Sequence, residues 1–453
     1  MEQSKRKTSG VIAIFVAFSL ALTGCSPGSS DSGSDTSTVV IDPAEMGDVT
    51  LTVLDSFTDN ASPIGLWMLD IVAGFEAKYP NIKIKRESVQ DITTNLKLKL
   101  ADEKNTPDVV PANQGWAGVG DLSSNGLLLN LDPYDKAYGW SEKLPTTILQ
   151  QSMASTDGKN IGQGSLFGVP INQGAFVTVF YNRAMLTKLG LSVPKTFAEF
   201  EAAMAKAKSA GQIPMQLGTQ DGWPASATLL ALQAALDNSN DIIDAVFATS
   251  NVKLADTKLE AAVTAYKKWA DSGYFTKDFV GVPSGTAVQD FVDGKGLFVI
   301  WYSGYLPFKN QAQGDKFGQF LLPRADGGAL TGVGASLQQF SVAAKSDAKD
   351  AAALFLNYMA SQEAGEFAIK YKAPPLFGKF EASSDSPLLN DGVVTLNLIT
   401  SSNGYLPYFD WATPTMLDVM TQQLQSLFGG KVSPKDVVAA MQKDYDTFRE
   451  SKK

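Results

Sequence analysis

The stretch that decides the fold is Leu166–Lys208, LFGVPINQGAFVTVFYNRAMLTKLGLSVPKTFAEFEAAMAKAK. It opens with a Gly-Val-Pro step at residues 168–170, where the proline lacks a backbone N–H and favours extended geometry before it. The run from Phe176 to Tyr181 is rich in β-branched and aromatic residues and predicts a buried strand. Thr196 and Glu199 have the spacing of a capping box, which predicts the start of a helix. The stretch therefore predicts the point at which the chain crosses from one body into a second.

Twelve residues of this stretch also follow the order of a known pattern: Gly168, Val169, Pro170, Tyr181, Asn182, Leu189, Gly190, Pro194, Thr196, Phe197, Glu199 and Phe200. In this order the chain resembles the bacterial extracellular solute-binding proteins of the maltose-binding type, the sugar receptors of ABC importers. The resemblance extends over roughly residues 48–450. It implies an α/β, two-lobed periplasmic-binding-protein-like fold, with a ligand cleft between lobes that are joined by two or three crossings and close by a hinge motion.

Composition excludes several kinds of chemistry. The 453 residues are enough for two or three domains, and they include no histidine and one cysteine. Histidine-dependent catalysis, histidine-ligated zinc and an intrachain disulfide are therefore excluded, and we predict no metal and no cofactor. The formal net charge of −9 argues against a nucleic-acid partner, because binding to phosphates needs a cationic surface.

The amino terminus is typical of a secreted protein. Residues 1–24 combine a basic start with an apolar run, which predicts a signal peptide. The end of this run, Leu22-Thr23-Gly24-Cys25, resembles the bacterial lipobox, and this resemblance implies that Cys25 is acylated and anchors the protein to a membrane. Residues 25–47 are rich in Ser, Gly, Asp and Thr and predict a flexible tether. After residue 24 no transmembrane helix is predicted.

The domain limits that we predict follow from these segments. Residues 48–169 together with about 326–373 form lobe 1. Residues 170–325 together with about 374–453 form lobe 2.

The first part of the chain has a β-α-β order. A strand over Val49–Leu54, an amphipathic helix over Leu66–Tyr79 and a strand over Ile82–Lys85 predict a parallel sheet. Ligands of open parallel sheets bind at the carboxyl ends of the strands. The loop that follows the first strand therefore supplies three candidate ligand-binding residues, Asp55, Ser56 and Phe57.

A third strand, Thr106–Val110, leads to a second set of candidates. Asn113, Gln114 and Trp116 follow its carboxyl end. Two amides beside a tryptophan suit sugar recognition, because sugars present both hydroxyls and apolar C–H faces. A partly buried core position is the alternative interpretation of Trp116.

The remaining candidates depend on the family resemblance. It implies that Trp223, Trp301 and Trp411 line the cleft, with Tyr302 as a further aromatic candidate. A structural role is the less favoured alternative for Trp301, and Trp269 is interpreted as structural. Asp221 is a candidate near Trp223, although an Asp-Gly turn needs no function. Asn172, which follows the Gly-Val-Pro step, completes the set.

These observations predict a lipid-anchored, monomeric receptor that captures a carbohydrate, in particular an oligosaccharide, and delivers it to ABC permease subunits. It would face the outside of a bacterial cell membrane, with a single-membrane cell favoured over a periplasm. The alternatives are a receptor for a non-sugar solute, or a receptor that signals to a membrane sensor instead of delivering its ligand to a transporter. A secreted glycoside hydrolase is a remote alternative, since two carboxylates suffice for that reaction without histidine.

Overall fold

A computed structural model of the protein describes residues 39–453 except 91, 223, 238, 251, 305, 307–309, 379 and 382–384. The predicted signal peptide and Cys25 lie outside the described residues, as does most of the predicted tether. The last part of that tether, residues 39–47, is described and is held against the body. The backbone N–H of Val40 donates to Asp350 at 3.3 Å, and Asn81 donates to the carbonyl oxygens of Pro43 and Gly47 at 2.8 Å each.

The first sheet contains the predicted β-α-β unit. Its spatial order is Ile82–Ser88, Val49–Asp55, Val109–Pro111, Gln339–Val342 and Val169–Pro170. The strands Val49–Asp55 and Ile82–Ser88 pair in parallel along their whole length, which confirms the predicted parallel arrangement. Between them, the helix Pro63–Lys78 buries Met68, Ile71 and Phe75 against the sheet, because these residues recur at helical spacing on one face.

The third strand begins later than predicted, although Asp108 already pairs with the first strand. The backbone N–H of Asp108 donates to the carbonyl oxygen of Thr52 at 2.9 Å. The Oδ2 of Asp108 accepts a hydrogen bond from the N–H of Thr52 at 2.8 Å, and its Oδ1 accepts one from Ser346 at 2.6 Å. Pro107 has no N–H to contribute to a ladder. The strand therefore begins only at Val109 and ends at Pro111.

The second sheet is built around the strand that the sequence predicts most clearly. The strand Gly174–Asn182 is buried along its full length and lies at the centre of the sheet. The spatial order is Tyr405–Leu406, Gly332–Ser336, Gly174–Asn182, Phe298–Tyr302 and Met215–Gln216, with Phe317–Phe320 also paired to the central strand. A separate two-stranded sheet pairs Met153–Ala154 with Ser165–Leu166.

Helices cover the sheets. The described α-helices are Pro63–Lys78, Ile92–Ala101, Asp121–Ser124, Asp132–Tyr138, Trp140–Lys143, Thr146–Leu149, Arg183–Lys188, Phe197–Ser209, Pro224–Leu236, Ser239–Phe247, Leu259–Asp271, Ser284–Val292, Gln311–Gly314, Lys349–Met359, Gln362–Lys370, Pro387–Ser401, Met416–Phe428 and Pro434–Glu450. The capping box at Phe197–Ser209 forms as predicted, with Glu199 N–H donating to Thr196 Oγ1 at 3.1 Å and Thr196 N–H donating to Glu199 at 3.2 Å. Within the described part of the chain, every helix is too short or too polar to span a bilayer.

Short segments connect the two sheets and bond to one another. Residues 171–173 lead from the first sheet into the second, and residues 337–338 lead back. The N–H of Leu337 donates to the carbonyl oxygen of Gln173 at 2.8 Å, and the N–H of Ile171 donates to that of Gln338 at 3.1 Å. A later segment also approaches this point, since the N–H of Gly174 donates to the carbonyl oxygen of Pro374 at 2.8 Å.

Candidate functional site

A cavity of about 490 Å³ lies where loops from the first sheet meet the second sheet and its helices. Its walls combine aromatic rings with amide, hydroxyl and carboxylate groups. The described lining residues are Asn113, Gln114, Ala175, Ser226, Trp301, Tyr302, Ser336, Leu337, Tyr408, Asp410, Trp411 and Leu417. This size is in the range typical of small-molecule sites, and the mixture of groups suits a ligand with both apolar and polar surface.

Four aromatic rings form a continuous row in this cavity, which we call the aromatic row: Trp301, Tyr302, Tyr408 and Trp411. Successive ring centroids are 5.9 Å, 6.0 Å and 4.9 Å apart. The rings meet at interplanar angles of 67°, 49° and 62° rather than in parallel stacks. Such a row offers several apolar surfaces to one ligand.

Strand and helix geometry explain how this row is held. Trp301 and Tyr302 end the strand Phe298–Tyr302, which pairs with the central strand of the second sheet. The strand Tyr405–Leu406 pairs with Gly332 and Val333, and the turn Phe409–Ala412 follows it. In that turn Phe409 and Ala412 are buried, and the Trp411 N–H donates to the Tyr408 carbonyl oxygen at 3.1 Å. Trp411 is thereby fixed at the cavity wall.

The amide side of the cavity comes from the loop after the strand Val109–Pro111. Asn113 and Gln114 lie there, and the Gln114 N–H donates to the Asn113 side-chain oxygen at 3.0 Å. Gly115 follows with φ +78°, a left-handed conformation that favours glycine. The chain then turns into the short helix Trp116–Gly120 and leaves the cavity.

Asp410 is the one acidic residue among the described lining residues, and none of these residues is basic. Desolvation in the cavity raises the pKa of this carboxyl to about 6. No hydrogen bond reaches the carboxylate from another described residue, and its own backbone N–H is the donor that stabilises its charge. The site therefore holds a carboxylate with acceptor capacity left for a ligand hydroxyl or water.

Five of the predicted site residues line this cavity: Asn113, Gln114, Trp301, Tyr302 and Trp411. Their contact with a ligand stays a prediction. Trp223 lies outside the described residues. The structure places the other predicted residues elsewhere.

Trp116 is two residues from Gln114 but does not line the cavity. It is 2% exposed, and its ring packs edge to face on Phe448 with the centroids 4.8 Å apart. The turn at Gly115 directs the tryptophan away from the cavity, so the core alternative describes its position. Trp269 is also fully buried, as predicted, and donates from Nε1 to Glu201 at 2.8 Å.

The loop after the first strand is also away from the cavity. Asp55 is fully buried, and its carboxylate accepts hydrogen bonds from Arg86 Nε at 2.5 Å and from Ser88 Oγ at 2.8 Å. The Phe57 N–H donates to the same carboxylate at 2.8 Å, and the Phe57 side chain is buried in a core with Leu51 and Val53 of the first sheet. Ser56 is exposed beside them. The expectation that ligands bind at the carboxyl ends of parallel strands identified a polar cluster here. The hydrogen bonds of Asp55 are, however, made to other residues of the protein.

Asn172 and Asp221 likewise bond to the protein. Asn172 is buried at a crossing, where it donates to Ser361 and Phe377 carbonyl oxygens at 2.9 Å and accepts from the Phe377 N–H at 3.0 Å. Asp221 accepts from the N–H of Ser284 at 2.8 Å and caps the start of the helix Ser284–Val292. Neither residue lines the cavity.

Sequence reasoning missed part of the lining. The seven described lining residues that were not among the candidates are Ala175, Ser226, Ser336, Leu337, Tyr408, Asp410 and Leu417. Tyr408 and Asp410 had a signal, because they lie shortly before Trp411 in a segment of four aromatics. The others are small or apolar residues whose position depends on how distant segments meet. Among the described residues, no cluster of carboxylate or cysteine side chains could hold a metal ion.

The chain matches known proteins over most of its length. A family model described as bacterial extracellular solute-binding protein matches residues 60–366. The chain is 25% identical over 310 residues to the multiple sugar-binding protein of Streptococcus mutans, covering 65% of this chain and 68% of that protein. It is 25% identical over 261 residues to an uncharacterized ABC transporter extracellular-binding protein of Pyrococcus horikoshii, about half the length of each.

A solved structure gives the same fold. A chitin oligosaccharide binding protein superposes with a TM-score of 0.70 at 22% identity, covering 89% of this chain and 99% of that one. The predicted α/β, two-lobed fold of the maltose-binding type is thereby confirmed.

Proposed function

Because the chain belongs to the bacterial extracellular solute-binding protein family, we propose that it captures a carbohydrate and delivers it to the permease of an ABC importer. The aromatic row beside amide, hydroxyl and carboxylate groups in one cavity is the observation that carries this proposal. The names of the Streptococcus mutans relative and of the chitin oligosaccharide binding protein support a sugar as the ligand.

The chemistry of the cavity fits a sugar at each point. The apolar C–H faces of a sugar ring pack on tryptophan and tyrosine, as the aromatic row permits. Sugar hydroxyls need both donors and acceptors, and Asn113, Gln114 and Asp410 supply them. A row of four rings exceeds what one sugar ring would cover, which favours an oligosaccharide.

Binding without catalysis is part of the proposal. A glycoside hydrolase of the two-carboxylate kind needs a second acid opposite the first. Asp410 is alone among the described lining residues in carrying a carboxyl group. The hydrolase is therefore the weaker candidate, and we propose that the protein is not an enzyme.

The location and partners that we propose follow from the amino terminus and the family. Acylation of Cys25 would hold a monomeric receptor on the outer face of the cell membrane, close to the permease. The name of the Pyrococcus horikoshii relative supports an ABC transporter over a membrane sensor as the partner.

The predicted lobe limits remain a proposal, and strand pairing refines one of them. The strand Gly332–Ser336 pairs in the second sheet, whereas Gln339–Val342 pairs in the first. We therefore propose the second crossing at residues 337–338 rather than near residue 326. Lobe closure would then turn about residues 171–173 and 337–338, which bond directly to each other.

Thermal unfolding of the chain from Ser26 onward, which retains every described residue, tests the proposed function. We would scan it against mono- to tetrasaccharides, amino acids and polyamines. A ligand that binds only the folded state raises the midpoint by mass action. We expect a shift with a group of oligosaccharides that are recovered intact. Cleavage of the sugar would establish the hydrolase instead, and shifts with amino acids or polyamines alone would overturn the sugar assignment.

A further inference from the structure

The carboxyl-terminal helix Pro434–Glu450 ends against residues 158–160, in the loop between the two strands Met153–Ala154 and Ser165–Leu166, which the proposed limits place in lobe 1. Arg449 donates from Nη1 to the carbonyl oxygen of Lys159 at 3.3 Å and from Nη2 to Asn160 Oδ1 at 3.1 Å. Lys452 donates from Nζ to the carbonyl oxygen of Gly158 at 2.9 Å. Two cationic side chains thus bind three consecutive residues of one loop.

The same end of the helix also packs on Trp116. Phe448 meets the Trp116 ring at 4.8 Å between centroids, and Lys452 Nζ lies 4.3 Å from the centroid of that ring. Lysine over a tryptophan face is an attractive cation–π contact. Trp116 directly follows the loop that carries Asn113 and Gln114, so these contacts also hold the amide side of the cavity in place.

The rest of this helix packs on helices of lobe 2, Leu259–Asp271 and Met416–Phe428. Val438, Met441 and Tyr445 are buried in a core that includes these helices and also reaches Leu54 and Val110 of the first sheet. Asp444 accepts hydrogen bonds from Thr413 at 2.5 Å and from Thr415 at 2.6 Å. These threonines follow the turn that carries Asp410 and Trp411, so one rigid helix holds both walls of the cavity.

We infer that Phe448, Arg449 and Lys452 form a latch that stabilises the arrangement of the two lobes in which the cavity is formed, acting as positioning residues that do not touch the ligand. This inference rests on the proposed hinge closure and ligand cavity. Apparent affinity scales with the fraction of molecules already in the binding-competent state. Loss of the latch would therefore weaken binding by opening the cleft, with no ligand contact removed.

The test compares two double variants of the chain from Ser26 onward, whose described part forms one compact unit. Arg449→Ala with Lys452→Ala removes the latch cations. Lys435→Ala with Lys443→Ala removes two exposed lysines of the same helix and matches the change in charge. The chain from Ser26 contains no cysteine, so spin labels at Lys136→Cys and Lys206→Cys report the distance between the two bodies by pulsed electron paramagnetic resonance.

Without ligand, we expect the latch variant to shift toward longer inter-label distances and the control to keep the distribution of the parent. With a sugar identified by thermal shift, we expect the Kd of the latch variant to rise about fivefold to twentyfold through a faster koff. The conservative variant Lys452→Arg keeps a cation over Trp116 and should retain most of the affinity of the parent. Unchanged distances would overturn the latch. Because the distances need no ligand, this result stands apart from a failure of the proposed function, which would show as no carbohydrate binding by the parent.

If the double variant unfolds, Lys452→Gln alone gives the same readings with one contact removed. Unchanged distances and an unchanged Kd in this folded variant would equally overturn the latch.

Discussion

Gly115 lies against Trp411 so closely that the two residues form one joint wall of the cavity. A Cβ atom on Gly115 would be 2.5 Å from both Cβ and Cγ of Trp411. Gly115 also has φ +78°, so a side chain there would be strained even in open space. The loop of the first sheet can therefore approach the aromatic row only because residue 115 has no side chain.

Replacing Gly115 tests this close approach. We expect Gly115→Ala to displace Trp411 or the loop, to lower the free energy of unfolding by about 2–4 kcal/mol and to weaken sugar binding at least tenfold. Urea unfolding and calorimetric titration with a sugar found by thermal shift measure the two effects.

Gly126→Ala is the matched control for this change. Gly126 also has a positive φ of +66°, but no atom lies within 4 Å of the position of its Cβ. We expect it to lose about 1 kcal/mol and to keep its affinity. Equal affinity losses in both variants would mean that backbone strain, and not contact with Trp411, controls the site.

Trp301 should carry a large share of ligand affinity. It lines the cavity at the end of its strand, and we expect Trp301→Ala to lose about 2 kcal/mol of binding free energy, or roughly thirtyfold in Kd. Trp269→Leu is the control, because Trp269 is fully buried away from the cavity. It should lower stability and leave Kd unchanged. Similar Kd values for the parent and Trp301→Ala would argue against stacking on the aromatic row.

The sequence predicted the fold well where local patterns agree with tertiary packing. The strand Gly174–Asn182, the capping box at Thr196 and the parallel pairing of Val49–Asp55 with Ile82–Ser88 all follow from residue order alone. The boundaries of the strand Val109–Pro111 did not, because Pro107 has no N–H for a ladder and Asp108 bonds to Thr52 through its side chain as well as its backbone. Side-chain bonding of this kind leaves no periodic signal in the sequence.

The site was predictable only in part, for reasons visible at particular residues. Trp301, at the end of the strand Phe298–Tyr302, and Trp411, in the turn after Tyr405–Leu406, were predicted from the family resemblance. Trp116 does not line the cavity, because the left-handed turn at Gly115 redirects the chain before it. The ion pair of Asp55 was not predictable, because its partner Arg86 lies on the neighbouring strand, opposite Val53. Only the register of the two strands brings Asp55 and Arg86 together.

Asp410 should make stability depend on pH. Its pKa is raised to about 6 in the folded protein, whereas an unfolded aspartate titrates near 4. The folded state therefore binds an extra proton between about pH 4 and pH 6, and the cost of burying the charge is complete above pH 6. We expect Asp410→Asn to stabilise the free protein by about 2–3 kcal/mol at pH 7.5 and by little near pH 4, measured by urea unfolding.

The exposed Asp48→Asn is the control for that change and should have little effect at either pH. We also expect Asp410→Asn to weaken sugar binding at pH 7.5, because the ionised carboxylate is the stronger acceptor for sugar hydroxyls. An equal gain in stability at both pH values would show that Asp410 is not desolvated in the folded protein.

The ion pair between Arg86 and Asp55 should be structural and not part of the ligand site. Arg86 is 11% exposed at its side chain and Asp55 is 0% exposed, so Arg86→Met would leave a buried carboxylate without its cation. We expect a loss of about 3–5 kcal/mol in the free energy of unfolding. Lys97→Met, which removes the cation of an exposed pair with Asp121, should cost less than about 1 kcal/mol. Because the Asp55 loop does not line the cavity, Arg86→Met that still folds should bind sugar with the Kd of the parent; a markedly weaker Kd would return Asp55, Ser56 and Phe57 to the ligand site.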